Sequence, residues 1–164
     1  MMRKWWQEAV GYEIYCKSFC DSDGDGIGDL RGVMSKLHVL RDLGVNCIWF
    51  TPIYTSPQVD NGYDVADYRN IDPAYGTLED FKTLVDEAHE RGIRVIIDLV
   101  VNHTSNSHPW FTEACNYIRK NGSVGGEWGD FYNFKITQGG AYHSVSGAQY
   151  SYEGQFWSGM PDLN

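Results

Sequence analysis

Short apolar segments alternate with two amphipathic helical patterns through residues 9–97, and this alternation constrains the fold more than any other feature. Segments 47–50 and 95–97 contain no polar side chain, and segment 9–16 mixes apolar and aromatic residues in the manner of a strand. A strand with one solvated face alternates polar and apolar residues, whereas a strand covered on both faces is apolar throughout, as in parallel sheets. The sequence therefore predicts an α/β fold with parallel strands in the order β-α-β-α-β and right-handed connections.

The two helices between these strands are predicted from the spacing of their apolar residues. In the first helix these residues recur at steps of three and four, and Gly44 supplies the stop. They are Leu30, Val33, Met34, Leu37 and Leu40. The second helix has Thr77 as its predicted N-cap and ends at Gly92. Glu79 and Asp80 lie in its first turn, where carboxylates interact favourably with the helix dipole. Segment 52–76 between the second strand and this helix is predicted to be a loop.

The composition changes after His103 to a stretch rich in Gly, Ser, Asn and aromatic residues. A short helix is predicted at 109–120, and weak strand signals occur at 130–137 and 148–157. This pattern is typical of an irregular subdomain that is inserted after the third strand. Three parallel strands do not close a barrel, since a (β/α)8 barrel takes about 250 residues.

Charge and composition exclude several classes of partner. The 164-residue chain carries a formal charge of -9 and contains no cluster of Lys or Arg, whereas nucleic acid and anionic membranes both require a basic face. It shows no secretory signal and no apolar run long enough to span a bilayer, so a cytoplasmic location is expected, or a secreted one if a signal was removed. The cysteines lack the paired spacing of a zinc site and are predicted to be buried free thiols. They are Cys16, Cys20, Cys47 and Cys115.

An acidic loop separates the first strand from the first helix. Its carboxylates occupy positions one, three, five and nine of an EF-hand pattern, with a glycine at position six and a backbone carbonyl ligand expected at position seven. The candidate ligands are Asp21, Asp23, Asp25, the carbonyl of Ile27, and Asp29. Gly32 stands where the EF-hand has its bidentate glutamate, so Asp29 and water would have to complete the shell.

A turn without a metal is the alternative interpretation of this loop, because Asp-Gly pairs favour turns and Asp29 also fits the N-cap of the following helix. Four carboxylates within nine residues repel one another by about 1 to 4 kcal/mol per pair, which a turn alone does not require. The sequence therefore favours a metal, and calcium over magnesium because the loop offers many flexible oxygens.

Polar and aromatic residues gather where the second and third predicted strands end. Asp98 and His103 follow the third strand, and Asp60 and Tyr63 follow the second. In parallel α/β folds function gathers at this end of the strands. Each residue alone also fits a structural role, whether bonding backbone amides, lying in a loop or packing. Together they offer an aromatic face and hydrogen-bonding groups, which favours a pocket for a hydroxylated ring.

Three segments of the chain resemble signature regions of the α-amylase superfamily. DLVVNH at 98–103 resembles its first signature region, GVNCIWFTP at 44–52 its second-strand region, and MPDLN at 160–164 the motif near the end of its domain B. The resemblance extends over essentially the whole chain and is nearest to the oligo-1,6-glucosidase and α-glucosidase branch and related bacterial α-amylases. It implies the N-terminal part of a (β/α)8 barrel. Residues 1–103 would form the first three β/α units of the catalytic domain, and residues 104–164 would form domain B.

The resemblance also implies roles for individual residues. Tyr63 would stack on the sugar at the bond to be cleaved, and His103 would hydrogen-bond a hydroxyl of the same sugar. Asp98 would pair with an arginine on the fourth strand, and Asp60 would close the far end of the pocket in exo-acting members. Calcium would be held by the five candidate ligands of the acidic loop. Met160 replaces the Gln that is usual in oligo-1,6-glucosidases, which leaves α-1,4 and α-1,6 linkages, and exo and endo action, open.

The hydrolytic chemistry of the family requires two carboxyl groups about 5 to 5.5 Å apart in retaining enzymes. The resemblance implies that the nucleophile and the general acid lie on the fourth and fifth strands, after Asn164. We therefore expect no catalytic residue in this chain and no activity from it alone. For the full-length protein it implies retaining hydrolysis of α-linked glucose oligosaccharides or α-glucans. Glucosyl transfer or isomerisation, a non-catalytic transporter subunit of the same fold, and a calcium-dependent sugar-binding fragment are the alternatives.

Overall fold

The computed structural model describes residues 3–164, which form two compact units. The first unit comprises the residues up to 54 together with 69–99, and the second comprises 55–68 and 100–164. The strands are β1 Gly11–Ile14, β2 Cys47–Phe50, β3 Tyr54–Thr55, β4 Asp67–Ile71, β5 Arg94–Ile97, β6 Phe134–Lys135, β7 Tyr142–Ser144 and β8 Ser151–Glu153. The α-helices are α1 Cys16–Phe19, α2 Leu30–Asp42, α3 Leu78–Glu90 and α4 Pro109–Asn121.

The first unit contains the predicted parallel sheet, in the strand order β1-β2-β5. Its register places Ile14 beside Phe50 and Phe50 beside Ile97. Ile14 and Phe50 are fully buried in one apolar cluster with residues of α2 and α3. The parallel β-α-β-α-β order predicted from the sequence is confirmed.

The expectation that the strands are covered on both sides holds for one face of this sheet only. Trp49 and Ile96 are neighbours in the register and belong to the opposite face from Phe50, because side chains alternate along a strand. They are 42% and 43% exposed. The helices α2 and α3 contribute to the core on the Phe50 side, whereas the part of the other face that Trp49 and Ile96 form is left open by the described residues.

The ends of α2 and α3 follow the predicted signals. Asp29 caps α2 by accepting a hydrogen bond from the backbone N–H of Gly32. Thr77 caps α3 in a capping box with Asp80, in which each side chain accepts from the other residue's backbone N–H. Gly44, after α2, adopts a left-handed conformation with φ of 86°. Both helices therefore begin at the residues that the N-cap signals predicted.

Segment 52–76 was predicted to be a loop, and that prediction is wrong in part, because β3 and β4 lie within it as a two-stranded sheet. β4 has the sequence DYRNI, and its Arg69 and Asn70 are exposed. A strand with so few apolar residues lacks the alternation by which half-buried strands are predicted.

The second unit packs α4 against the antiparallel sheet β6-β8-β7. Phe111 of α4 makes edge-to-face contacts with Tyr132 and Tyr152, at centroid distances of 5.2 and 4.7 Å. The predicted helix is confirmed and extends one residue further. Of the weak strand signals, 130–137 contains a 3-10 turn followed by β6, and 148–157 contains β8. β7 was not predicted.

Candidate functional site

Three carboxylates of the acidic loop converge to a possible metal site. One oxygen from each of Asp21, Asp23 and Asp29 lies within 4.8 Å of the other two. Asp21 and Asp23 are exposed, and Asp29 is buried. Asp25 is not part of this group, and its Oδ1 accepts a hydrogen bond from the Ile27 N–H at 2.7 Å. The structure thus brings together three of the five ligands predicted from the sequence.

Backbone N–H groups hold the carboxylate of Asp21 in place. Oδ1 accepts from the N–H of Gly24 at 2.7 Å, and Oδ2 accepts from the N–H of Gly26 at 2.8 Å. These hydrogen bonds favour the ionised form and lower the pKa of Asp21 below its ordinary value. The loop therefore concentrates negative charge in a fixed arrangement of oxygens, which suits a hard cation such as calcium.

Asp29 has a structural role that the sequence also allowed. Its Oδ1 caps α2 through Gly32 at 2.7 Å and accepts from the Ser22 hydroxyl at 2.8 Å, while Oδ2 accepts from the Ser22 N–H at 2.7 Å. Burial acts to raise the pKa of Asp29, but the hydrogen bonds from Ser22 and Gly32 outweigh it and hold this pKa below the ordinary value. Asp29 thus joins the loop to the helix whether or not it binds a metal.

Two glycines allow the chain to close at the base of the acidic loop. A Cβ atom at Gly28 would lie 2.2 Å from the carbonyl oxygen of Cys16, and one at Gly32 would lie 1.9 Å from that of Cys20. The N–H of Asp29 donates to the same Cys20 carbonyl at 3.0 Å. In the sequence Gly32 was notable only for replacing a glutamate, whereas the structure shows that it permits close backbone approach.

His103 lies at the centre of the second candidate site, and its ring is tied to the Tyr63 segment. The side chain is buried, with 4% of the residue exposed. Its Nε2 is 3.1 Å from the carbonyl oxygen of Tyr63, and its Nδ1 is 3.2 Å from the Nδ2 of Asn102. The Tyr68 hydroxyl lies 2.8 Å from the carbonyl oxygen of His103. The structure therefore brings the ring of His103 and the backbone of Tyr63 together.

The loop that carries Asp60 and Tyr63 is organised by Asp64, for which no role was predicted. Asp64 is 1% exposed. Its carboxylate accepts from the Ser56 hydroxyl at 2.9 Å and from the N–H groups of Val59 and Asp60, both at 3.1 Å. Asp60 is thus half-buried on a loop fixed by a buried carboxylate. A loop carboxylate has many possible partners, so sequence alone did not identify these.

Asp98 directly follows β5 and belongs to the first unit. Its N–H donates to the carbonyl of Phe50 at 3.0 Å, which continues the pairing of β2 and β5. Its side chain is half-buried. Burial raises the pKa of Tyr54, and the negative charge of Asp98 raises it further. Asp98 therefore stands at the C-terminal end of a strand, where function gathers in β/α folds.

Phe156 contacts the site but was not singled out from the sequence. Its ring centroid lies 5.2 Å from that of His103 in an edge-to-face arrangement, and the residue is 66% exposed. An exposed aromatic face beside a buried imidazole is suited to packing against a sugar ring. In the sequence, the only indication of a role for Phe156 was that it forms an aromatic pair with Trp157 close to the MPDLN segment.

A backbone clasp joins the two segments that resembled separate signature regions. His103 and Asp162 form an antiparallel bridge. Next to it, the N–H of Leu163 donates to the carbonyl of Asn102 at 2.8 Å, and that of Thr104 donates to Pro161 at 3.1 Å. The MPDLN segment thus supports the backbone of Asn102 and His103 directly.

Three parallel strands joined through helices, with an antiparallel subdomain after them, define an α/β chain of the class that begins a (β/α)8 barrel. The chain belongs to the alpha-amylase family, whose model "Alpha amylase, catalytic domain" matches residues 13–162.

Named relatives agree with this membership. The oligo-1,6-glucosidase of Heyndrickxia coagulans is 49% identical over 99% of this chain and 31% of its own length. The trehalose-6-phosphate hydrolase of Escherichia coli K12 is 62% identical over 68% of the chain and 20% of its own length. A crystal structure of a MutB mutant in complex with glucose superposes with a TM-score of 0.90 at 37% identity, covering 99% of this chain and 31% of that one.

The chain thus spans about a third or less of the length of these relatives. Within residues 3–164, no helix has the length and apolar character that crossing a membrane requires.

Proposed function

We propose that the full-length protein is a retaining hydrolase of α-glucosidic bonds in oligosaccharides or glucans, and that this chain supplies one wall of its glucose-binding pocket. The observation that carries the proposal is the buried His103, held against the Tyr63 backbone and flanked by the exposed ring of Phe156. Family membership supports the reaction class. The glucose complex of the MutB mutant supports the ligand class.

In this proposal Tyr63 stacks on the glucose ring and Asp60 bounds the far end of the pocket. His103 donates a hydrogen bond from Nε2 to a sugar oxygen. Both ring nitrogens of His103 already have partners. The sugar oxygen therefore either shares the Nε2 proton with the Tyr63 carbonyl or replaces that carbonyl as its acceptor. Asp98 orients an arginine from a later strand. Every role here is that of a group that binds and positions the substrate.

The bond-breaking groups are proposed to lie outside this chain. A retaining glycosidase requires a carboxylate nucleophile and a carboxylic general acid about 5 to 5.5 Å apart, and we assign both to strands that follow Asn164. We also assign residues 1–103 to the first three β/α units of the catalytic domain and 104–164 to domain B. Release of p-nitrophenol from an α-glucoside by this chain alone would contradict the assignment.

The sugar site is tested by titrating glucose and maltose into the protein while following tryptophan fluorescence. Tyr63→Ala should abolish the change, because the stacking face is lost. The matched control is Tyr117→Ala, which removes a tyrosine of similar size, 38% exposed, from α4. A folded wild-type protein that gives no change with either sugar would refute the proposed pocket.

We further propose that the acidic loop holds calcium through Asp21, Asp23, Asp25, Asp29 and the carbonyl of Ile27. The convergence of three carboxylates within 4.8 Å supports this. Bound calcium would neutralise the charge of the loop and fix its fold; it takes no part in the reaction. A site of this kind coexists with the cap on α2, because a carboxylate oxygen has more than one lone pair.

Calorimetric titration of calcium into chelator-treated protein tests the metal site. Asp23→Ala should abolish the heat of binding, since Asp23 belongs to the converging group but does not cap the helix. Asp42→Ala is the control, because it removes the same charge from an exposed position on α2. If the wild-type protein gives no heat, the loop is an Asp-Gly turn without a metal.

A further inference from the structure

The buried carboxylate of Asp162 is connected to the ring of His103 through one side chain. Asp162 is 8% exposed. Its Oδ2 accepts from the N–H of Gln155 at 3.1 Å, and its Oδ1 lies 3.3 Å from the Nδ2 of Asn102. The same Nδ2 lies 3.2 Å from the Nδ1 of His103. Asn102 therefore bridges a buried carboxylate and a buried imidazole.

The chemistry of these groups allows one arrangement of protons. An ionised carboxylate only accepts hydrogen bonds, so the NH₂ group of Asn102, and not its oxygen, must face Asp162. Because this NH₂ group also faces Nδ1 of His103, that nitrogen must accept. In the neutral ring the remaining proton is then on Nε2, which points to the Tyr63 carbonyl at 3.1 Å.

We infer that Asp162 and Asn102 are positioning residues that, from the Nδ1 side and together with the Tyr63 carbonyl on the Nε2 side, hold His103 in the Nε2–H tautomer and fix the orientation of its ring. Its functional consequence rests on the proposed function, in which His103 contacts a sugar oxygen. Asn102 itself is exposed, but His103 and Asp162 are both buried. The hydrogen bonds of the imidazole and of the carboxylate are therefore determined by protein groups. Without Asp162, the amide of Asn102 is free to rotate and to present its oxygen to Nδ1, where it competes with the Tyr63 carbonyl for the single proton of the neutral ring.

The tautomer is measured from the ring ¹⁵N shifts of His103 in ¹⁵N-histidine-labelled protein, with the signals assigned by His103→Gln. The wild-type ring should be in the Nε2–H form. Asp162→Asn should move the two ring shifts towards each other, as both tautomers become populated. Glu113→Gln is the matched control, because Glu113 lies in the same unit and its carboxylate accepts from the indole N–H of Trp128 instead of from Asn102 or Gln155. It should leave the shifts unchanged.

A swap of the two side chains makes the test decisive even if the single variant fails to fold. In Asn102→Asp/Asp162→Asn, the amide–carboxylate hydrogen bond is kept, but an acceptor now faces Nδ1. The His103 ring should therefore gain a proton on Nδ1, as the Nδ1–H tautomer or, where Nε2–H stays against the Tyr63 carbonyl, as the doubly protonated ring. Wild-type His103 in the Nδ1–H form, or a swap that leaves the tautomer unchanged, would overturn the inference. These measurements need no substrate, so failure of sugar binding with an intact Nε2–H form would refute the proposed function alone.

Discussion

Replacement of Gly32 by alanine tests the close approach at the base of the acidic loop. Gly32 occupies the first turn of α2, where alanine favours the helix by about 1 kcal/mol relative to glycine. Against this, the new Cβ would lie 1.9 Å from the carbonyl oxygen of Cys20, and real Cβ atoms essentially never come within 3.0 Å of another heavy atom. The obstructing atom belongs to the backbone, so it cannot move aside as the end of a side chain would.

The overpacking cost decides the sign of the effect. Extra methyl groups in well-packed regions cost about 1–3 kcal/mol, and a backbone obstruction belongs at the upper end. The Cys20 carbonyl also accepts from the N–H of Asp29 at 3.0 Å, so its displacement weakens the closure of the loop. After the gain in helix propensity is subtracted, we expect Gly32→Ala to lower the free energy of unfolding by about 2 kcal/mol.

Urea unfolding followed by tryptophan fluorescence measures this change, with and without calcium. Gly11→Ala is the control, because a Cβ there meets no atom within 4 Å. Its free energy of unfolding should stay within about 0.5 kcal/mol of the wild type. If Gly32→Ala is as stable as the wild type or more stable, helix propensity has prevailed, and the close backbone approach at the base of the loop is not a constraint.

Three further predictions follow from the loop and the thiols. Asp29→Ala should lower the free energy of unfolding by about 1 kcal/mol even in excess chelator, because the cap on α2 is lost; an unchanged urea midpoint in EDTA would exclude a capping role. The pKa values of Asp21 and Asp29 are lowered in the folded chain, so the stability that they add is present above about pH 4 and is lost as the pH falls through their folded values. Urea midpoints should therefore fall between pH 5 and pH 3, and less steeply in Asp29→Ala. Burial raises the pKa of Cys16 to about 12 and of Cys115 to about 11, so a disulfide reagent at pH 8 should modify half-buried Cys20 first; peptide mapping that finds equal rates would contradict this.

The helices and the parallel sheet were predictable because their information is local. The N-cap Thr77 and the stop at Gly92 bound a regular apolar stripe, and α3 runs between them. In contrast, β4 is rich in polar residues, and β7 has only three residues, so neither shows a clear period. The burial of one sheet face and the exposure of Trp49 on the other depend on which elements pack against each face. The sequence of a single strand does not determine this.

The same distinction applies to the sites. The spacing of acidic residues predicted the loop in which Asp21, Asp23 and Asp29 converge, because all three lie on one short turn. Phe156 was not recognised, because it contacts a residue that is distant in sequence. Asp64 was not recognised, because a carboxylate in a predicted loop has many possible partners, and its pattern does not show which ones it binds. All four cysteines are free, as expected, although Cys20 is only half-buried.

The backbone clasp between 102–104 and 160–164 makes the position of His103 independent of the length of the inserted segment. Asn102 and Asp162 are 60 residues apart in sequence but lie within hydrogen-bonding distance. Doubling the length of a closed loop costs only about 0.6 kcal/mol, so insertions or deletions between the two ends of the clasp are inexpensive while the ends remain paired. Such changes can remodel the outer surface of the insert and leave the imidazole where it is.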